Sequence, residues 1–542
     1  MPRSTPSTQF AARVLSQSLA GLTLACLVTG VAAAVTQPTA PKTFDSSYAA
    51  PAGTTLTVAA GGDLQGALEK AQPGDTIVLQ AGATFTGPFT LPNKTGGSGW
   101  IYVVSGNLSN LPAAGTRVSP ANAANMPKIL APSLQSALST VANSHYFRFV
   151  GIEIAPAANA TRTYQLVAIG NSDTSATTLP DHIIFDRCYV HGIPGGTHRR
   201  GIEMDGAYVA VVDSYISDFQ EAGADSQGLW AYNTTGPLRI VDNYIEAAGE
   251  NVMFGGADSR DASLVPADIE VLNNYIFKPL SLIGSGFTTK NLLEIKSAQR
   301  ILVSGNVFQN SPAAGQGGTA VVITPRNQNG TAPWSVDTDI TITGNTLNNI
   351  GGGFGILGTD TIHPSQLTSR LLIRDNVLII TGLNGAQSRA FEVYNGGTSY
   401  TIDHNTIVWA TPTAGNLAVV ETARAKVTDF AFTNNLATAR LYGFGSPEGE
   451  GTVTLNANFT NWTFAKNVVV AAPAGKYPAG NFFPGAVTDL RMMNFTAANY
   501  ALAANSPYKG AGTDGRDIGA DLANAPSTAG LAPNPPANVI VK

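Results

Sequence analysis

Residues 301–308 read ILVSGNVF, apolar positions alternating with polar ones up to an asparagine, Asn306, and this short phrase decides the fold. Its pattern is apolar, any, apolar, any, any, Asn, any, apolar. It recurs around Asn243 (240–245, IVDNYI) and Asn274 (271–276, VLNNYI), and again around Asn345, Asn376, Asn405, Asn435 and Asn467. Cys188 and Ser214 hold the same place in two earlier copies. Successive copies lie 26, 29, 31, 32, 39, 31, 29, 30 and 32 residues apart. The period-2 alternation and the β-branched content exclude leucine-rich and helical repeats. One coil of two or three short strands per copy fits, each coil stacking on the next.

Such a stack is an all-β, right-handed parallel β-helix. An inward asparagine at a tight turn hydrogen-bonds the equivalent residues above and below it, forming a ladder. The repeated asparagines therefore mark architecture and not catalysis. At the N-terminal end, 63–71 (DLQGALEKA) predicts a short capping helix opened by Asp63 as N-cap. A helix there covers the first coil's open backbone edge. The organisation expected is a signal peptide at 1–34, a linker at 35–55, the β-helix with its cap at 56–522 and a flexible Pro/Ala-rich tail at 523–542.

The signal reading rests on Arg3 and Arg13, an apolar run at 19–31 and the small residues Ala32, Ala33 and Ala34. Thr23 stands where a lipoprotein site before Cys26 carries an aliphatic residue, which disfavours lipidation. No later segment reaches the roughly 18 consecutive apolar residues of a membrane span. The expected destination is thus secreted or periplasmic, as a monomer without stable membrane insertion. Removal of the signal takes Cys26 with it and leaves Cys188, so packing and hydrogen bonds must hold the fold without an internal disulfide. Cys188 lies in the strand-like run 183–190 and reads as a buried structural thiol. With 31 basic and 36 acidic residues, the chain lacks the basic surface of a generic nucleic-acid binder.

The opening 61–85 (GGDLQGALEKAQPGDTIVLQAGATF), together with the repeat, resembles the pectate-lyase-like superfamily of right-handed parallel β-helix proteins. The resemblance covers roughly residues 56–520 and implies the fold. Members include lyases, hydrolases, isomerases and adhesins, so function must be argued from a site.

The repeat aligns a second strand of each coil: 201–206 (GIEMDG), 228–233 (GLWAYN), 251–256 (NVMFGG), 292–297 (LLEIKS), 320–325 (AVVITP) and 390–395 (AFEVYN). Side chains alternate across a strand. With the aliphatic set inward, the outward rows read Glu203/Asp205, Trp230/Tyr232, Met253/Gly255, Glu294/Lys296 and Val322/Thr324, with Arg326 just beyond and Glu392/Tyr394 further along. Three coils span roughly 14 Å, comparable to a few sugar units. Arg200 and Glu250 directly precede strands of this face. Aromatic rings beside carboxylates and bases suit a polysaccharide, and the expected substrate-binding set is Arg200, Glu203, Asp205, Trp230, Tyr232 and Tyr394. Gly255 is expected to leave room for the substrate. The alternative is a solvated sheet face with incidental ion pairs such as Glu294–Lys296. His198 reads as a loop histidine.

The stretch 293–297 (LEIKS), followed by 305–308 (GNVF), Ser311, Gly317, Gly318 and Arg326, is similar to the catalytic region of the chondroitinase B and alginate lyase family. That resemblance, over about 35 residues, implies Lys296 as base, Arg326 as acid, and Glu294 and Glu250 as ligands of a calcium ion (Ca2+). The sequence departs from the family pattern in three ways. Asn327-Gln328 follows the arginine where the family has His-Gly, a Gly/Ala-rich insertion separates Lys296 from Arg326, and the carboxylate sits nearer the lysine. The function implied is a lyase cleaving a uronic-acid polymer by β-elimination. A glycoside hydrolase drawing a carboxylate pair from Asp225, Glu246, Glu250 and Asp258 is the alternative, and a non-catalytic carbohydrate-binding β-helix is a third.

Overall fold

The computed structural model describes residues 35–51, 53–96, 99–170, 175–410, 415–422, 425–439 and 441–522. The segments read as signal peptide and C-terminal tail lie outside the described residues. Three long sheets run the length of the molecule. Sheet A has 14 strands, from Thr55–Val58 to Phe459–Ala465, all in parallel register with their neighbours. Sheet B has 13, from Thr84–Thr86 to Val468–Val469. Sheet C also has 13 and includes His198–Met204, Gln227–Ala231, Glu250–Phe254, Leu293–Ile295 and Thr319–Ile323. Each coil contributes one strand to each sheet in turn, which is the parallel β-helix expected from the repeat.

The asparagine ladder forms as the spacing predicts. In each step the lower residue's backbone N–H donates to the side-chain oxygen above it: Asn243 to Asn274 at 2.9 Å, Asn274 to Asn306 at 2.8 Å, Asn306 to Asn345 at 2.9 Å, and onward to Asn467. The side-chain amides donate in turn to strand carbonyls below, such as Asn306 Nδ2 to Val271 O at 2.8 Å. Ser214 and Cys188 continue the row downward, and burial pushes the Cys188 thiol up to about 12, so it stays an inert thiol.

Inside the coils, aliphatic side chains and stacked phenylalanines fill the core, with Phe149 on Phe185 and Phe354 on Phe391 at ring distances of 5.2 and 5.6 Å. Helix α1 (Leu64–Lys70) caps the bottom, with Asp63 accepting from Gly66 N as its N-cap. The Gln65 side chain donates to Thr90 O and accepts from Thr90 N, satisfying the free edge of the first sheet C strand. A second helix, α2 (Thr452–Asn458), lies near the other end.

Residues 35–51, within the segment 35–55 read as a linker, run along the outside of sheet A. Thr39 N donates to Asp339, Lys42 N to Asp268, Arg239 to Phe44 O and Arg148 to Ser47 O, at 2.8–2.9 Å. The two acceptor aspartates are each gripped bidentately by an arginine of the next coil, Arg370 and Arg300. Local sequence does not reveal such anchoring, because every partner lies more than 100 residues away. No helix of the described residues is long and apolar enough to cross a membrane.

Candidate functional site

Sheet C carries the outward rows in the register read from the repeat. Glu203 pairs with Trp230, Trp230 with Met253, Met253 with Glu294, and Glu294 with Val322. The row continues through Gly355 to Glu392. Glu392 and Tyr394 are thus three strands beyond Glu294, roughly 14 Å along the axis. There they form their own group, Tyr394 Oη donating to Glu392 at 3.1 Å with Arg389 paired to the same carboxylate. Tyr394 is not brought to the Lys296 cluster.

The centre of the face is a linked set of charged side chains. Arg200, Gln227 and Glu250 stand side by side in register on three successive strands. Arg200 Nε donates to Gln227 Oε1 and Gln227 Nε2 to Glu250 Oε2, each at 2.7 Å. The carboxyls of Glu250 and Glu294 lie on neighbouring strands and act on one another's proton affinity. Lys290 Nζ lies 2.7 Å from Asp225 and 3.3 Å from Glu250, and Lys296 Nζ lies 3.3 Å from Glu294. Burial, and then the Glu250 charge, push Glu294 up to about 8 against the pull of Lys296. Burial also works to raise Glu250, but neighbouring Glu294, the Lys290 and Lys296 charges and the Gln227 amide outweigh it and hold it low. Of the two, Glu294 is the weaker acid.

Glu203 and Asp205 make a second buried carboxyl pair. Burial is the main cause that raises both, Glu203 well above the ordinary carboxylate range and Asp205 to about 7. Asp205 also accepts from the backbone N–H groups of Tyr232 and Asn233, at 2.7 and 3.0 Å, so it holds a turn in place. Both side chains are fully covered.

Trp230 differs from the exposed platform expected. Arg200 lies over one ring at 3.8 Å and Tyr232 stacks on it at 4.7 Å, leaving the residue 6% exposed. Its Nε1 donates to Gly255 O at 2.8 Å. Charge on one side and a ring on the other bury the indole, so Arg200 and Tyr232 form the accessible part of this aromatic stack. Gly255 likewise serves the backbone. Its φ is +83°, and a Cβ there would come within 2.5 Å of Ser297 N, so only glycine lets this turn pack under the Lys296–Ser297 peptide.

Arg326 follows one coil above Lys296, and its N–H donates to Lys296 O at 2.7 Å. Its guanidinium reaches Asp360 at 3.0 Å, and the same carboxylate accepts from Asn327 N. Asp258, a candidate for hydrolysis by sequence, accepts from Asn329 N, Thr331 N and Thr331 Oγ1 and shapes this loop. Glu246 lies on sheet B, bonded to Tyr244 Oη at 2.7 Å, away from sheet C. His198 is buried against Thr163, and burial lowers it to about 4, which keeps it neutral.

Two residues escaped the sequence reading. Asp360 sits in a loop with no motif around it, and only the stacking of coils sets it beside Arg326. Lys278 interrupts an apolar run and points inward, a legible signal. Its Nζ donates to Ala247 O, Ala248 O, Gly249 O and Asn251 Oδ1 beneath the turn that carries Glu250.

A calcium ion takes six to eight oxygen ligands. Glu250 and Glu294 do come together, but each faces an ammonium at 3.3 Å and Glu250 also takes the Gln227 amide. Among the described residues no group of three or more His, Cys, Asp or Glu side chains is arranged to hold a metal. The residues present do not fit that ion.

No family model matches the chain. No curated protein matches it either. Among solved structures it is similar to an alginate lyase from Paenibacillus sp. str. FPU-7, with 15% identity over 80% of this chain and 98% of that one and a TM-score of 0.34. It is similar to the PL6 family alginate lyase AlyGC, with 14% identity over 89% of this chain and 59% of that one and a TM-score of 0.48. The PL6 family polysaccharide lyase Pedsa3628 from Pseudopedobacter saltans gives 13% identity over 87% and 97%, with a TM-score of 0.42. At these values the architecture rests on the strand register of the chain itself, and the function on the chemistry of its face.

Proposed function

We propose that this chain is an exported polysaccharide lyase that cleaves a uronic-acid-containing polymer by β-elimination, acting as a monomer. The observation that carries this reading is the pairing of Lys296 and Arg326 on adjacent coils of sheet C, above a covered carboxyl cluster. In the reaction Lys296, an ammonium in its ion pair with Glu294, first gives a proton to solvent and then, as the free amine, takes the proton from the carbon next to the sugar carboxylate. The electron pair forms the new carbon–carbon double bond as the bond to the glycosidic oxygen breaks. Arg326 hydrogen-bonds to that departing oxygen, which ends protonated, and solvent restores the balance. Arg200, with Tyr232 beside it, lies further down the same face and binds neighbouring sugars.

Hydrolysis fits less well. Glycosidases flank the scissile bond with two carboxyls ~5–9.5 Å apart, whereas Glu203, Asp205, Glu250 and Glu294 are all buried beneath this face. The test is incubation with a panel of purified uronic-acid polymers and neutral glycans. A lyase raises absorbance in the unsaturated-product band, and Lys296→Ala removes that signal. New reducing ends without the absorbance mean hydrolysis, and binding without either product means a binding protein.

A further inference from the structure

We infer that the Lys290 ammonium, fixed between Asp225 and Glu250, is the built-in cation of the carboxyl cluster and takes the place of a divalent metal ion there. The carboxyls of Glu250 and Glu294 are buried with one oxygen each that accepts from no donor, Glu250 Oε1 and Glu294 Oε2. Buried carboxyls of this kind demand positive charge. Lys290 supplies it from a position the chain holds on all sides. Its own N–H donates to Ala248 O at 3.1 Å, Thr289 O accepts from Gly315 N at 2.7 Å, and the Asn291 side chain donates to Thr319 O at 2.6 Å. Its side chain is 16% exposed, so this is no wandering surface lysine. Lys296 stands on the other side of the pair, at 3.3 Å from Glu294. A dication entering between two ammoniums would meet like charge from both and would have to displace Gln227 from Glu250.

The consequence for binding rests on the elimination reading. A sugar carboxylate arriving at this face meets fixed ammonium charge, so its neutralisation does not depend on calcium. An ammonium is compact and carries three donors, which suits it to sharing two carboxylates.

The test needs no substrate, so its result stands whether or not the chain proves to be a lyase. Thermal unfolding and calorimetric titration of the wild-type protein with calcium chloride, and with a chelator, are expected to show neither a shift nor binding heat. Lys290→Ala leaves Asp225, Glu250 and Glu294 facing one another, and calcium is expected to raise its unfolding midpoint. Lys290→Ala combined with Glu250→Gln is expected to lose that response, and Lys290→Arg to remain unresponsive. Calcium binding by the wild type that disappears in Glu250→Gln overturns the inference. So does a folded Lys290→Ala that binds no calcium. If Lys290→Ala does not fold, the wild-type and Glu250→Gln titrations decide: calcium binding that Glu250→Gln abolishes overturns the inference, and a wild type without such binding supports it.

Discussion

Arg326 is tied to Lys296 through the main chain, its N–H donating to Lys296 O at 2.7 Å, while its guanidinium is drawn to Asp360 at 3.0 Å. Asp360 also fixes the next residue by accepting from Asn327 N at 2.9 Å. The two charged side chains proposed to do the chemistry are thus spaced by backbone geometry and aimed by a carboxylate one coil further on. Asp360→Asn keeps the shape but removes the charge that aims the guanidinium. The expected result is a fall in kcat of about 10- to 100-fold with KM little changed, the effect of misplacing a reacting group by around 1 Å. A fall in KM-dependent binding alone, with kcat intact, would show that Asp360 serves only the loop.

Trp230 separates two roles cleanly. It is covered by Arg200 and Tyr232 and donates to Gly255 O. Trp230→Ala is expected to cost about 3–5 kcal/mol of stability, the range for truncating a buried aromatic. Trp230→Phe is expected to lose about 1 kcal/mol, the worth of the missing hydrogen bond. Urea denaturation measures both. An open sugar-stacking platform would behave oppositely, with polymer affinity falling in Trp230→Ala and stability unmoved.

Stability should respond to pH through the buried acids. Burial raises Asp205 to about 7, and Glu294 and Glu246 each to about 8. Between their ordinary values and these, the folded protein holds protons that the unfolded chain has released, so each contribution falls as pH rises through that window. His198, lowered to about 4, acts in the opposite sense below its ordinary value, and Lys278, lowered to about 7, does so above that pH. A difference measurement isolates one group. Asp205→Asn is expected to gain stability relative to wild type as pH rises from about 4 to about 7, with no further gain above. A pH-independent difference would mean that Asp205 titrates normally.

The ladder predicts its own weakness. Asn306→Ala leaves Asn274 N and Val271 O without partners inside the stack. Each buried orphan costs ~1–3 kcal/mol, so a loss of roughly 2–5 kcal/mol is expected in denaturant unfolding. Asn306→Asp should be no better, since it loses the amide donors and buries a charge. Substitution at an exposed strand position such as Thr428 is expected to stay within about 0.5 kcal/mol.

The β-helix and the register of sheet C were legible in the chain because a period-2 strand and a fixed turn leave each coil one way to stack on the last. Asn306, Asn345 and Asn376 recur at the interval that one coil imposes, and the inward aliphatic residues fix which side chains share the outer face. The row Glu203, Trp230, Met253 and Glu294 follows from those two facts alone. What tertiary structure decided is what lies over and beside that row, since loops of unequal length leave each coil and return from different directions. The loop carrying Lys290 comes to rest between Asp225 and Glu250, Asp360 arrives beside Arg326, and Arg200 folds down over Trp230. Burial then follows from those neighbours, and with it the protons held by Asp205 and Glu294. A periodic sequence specifies position along the stack. Coverage, charge pairing and proton affinity depend on residues far apart in sequence, and only the assembled coils bring those together.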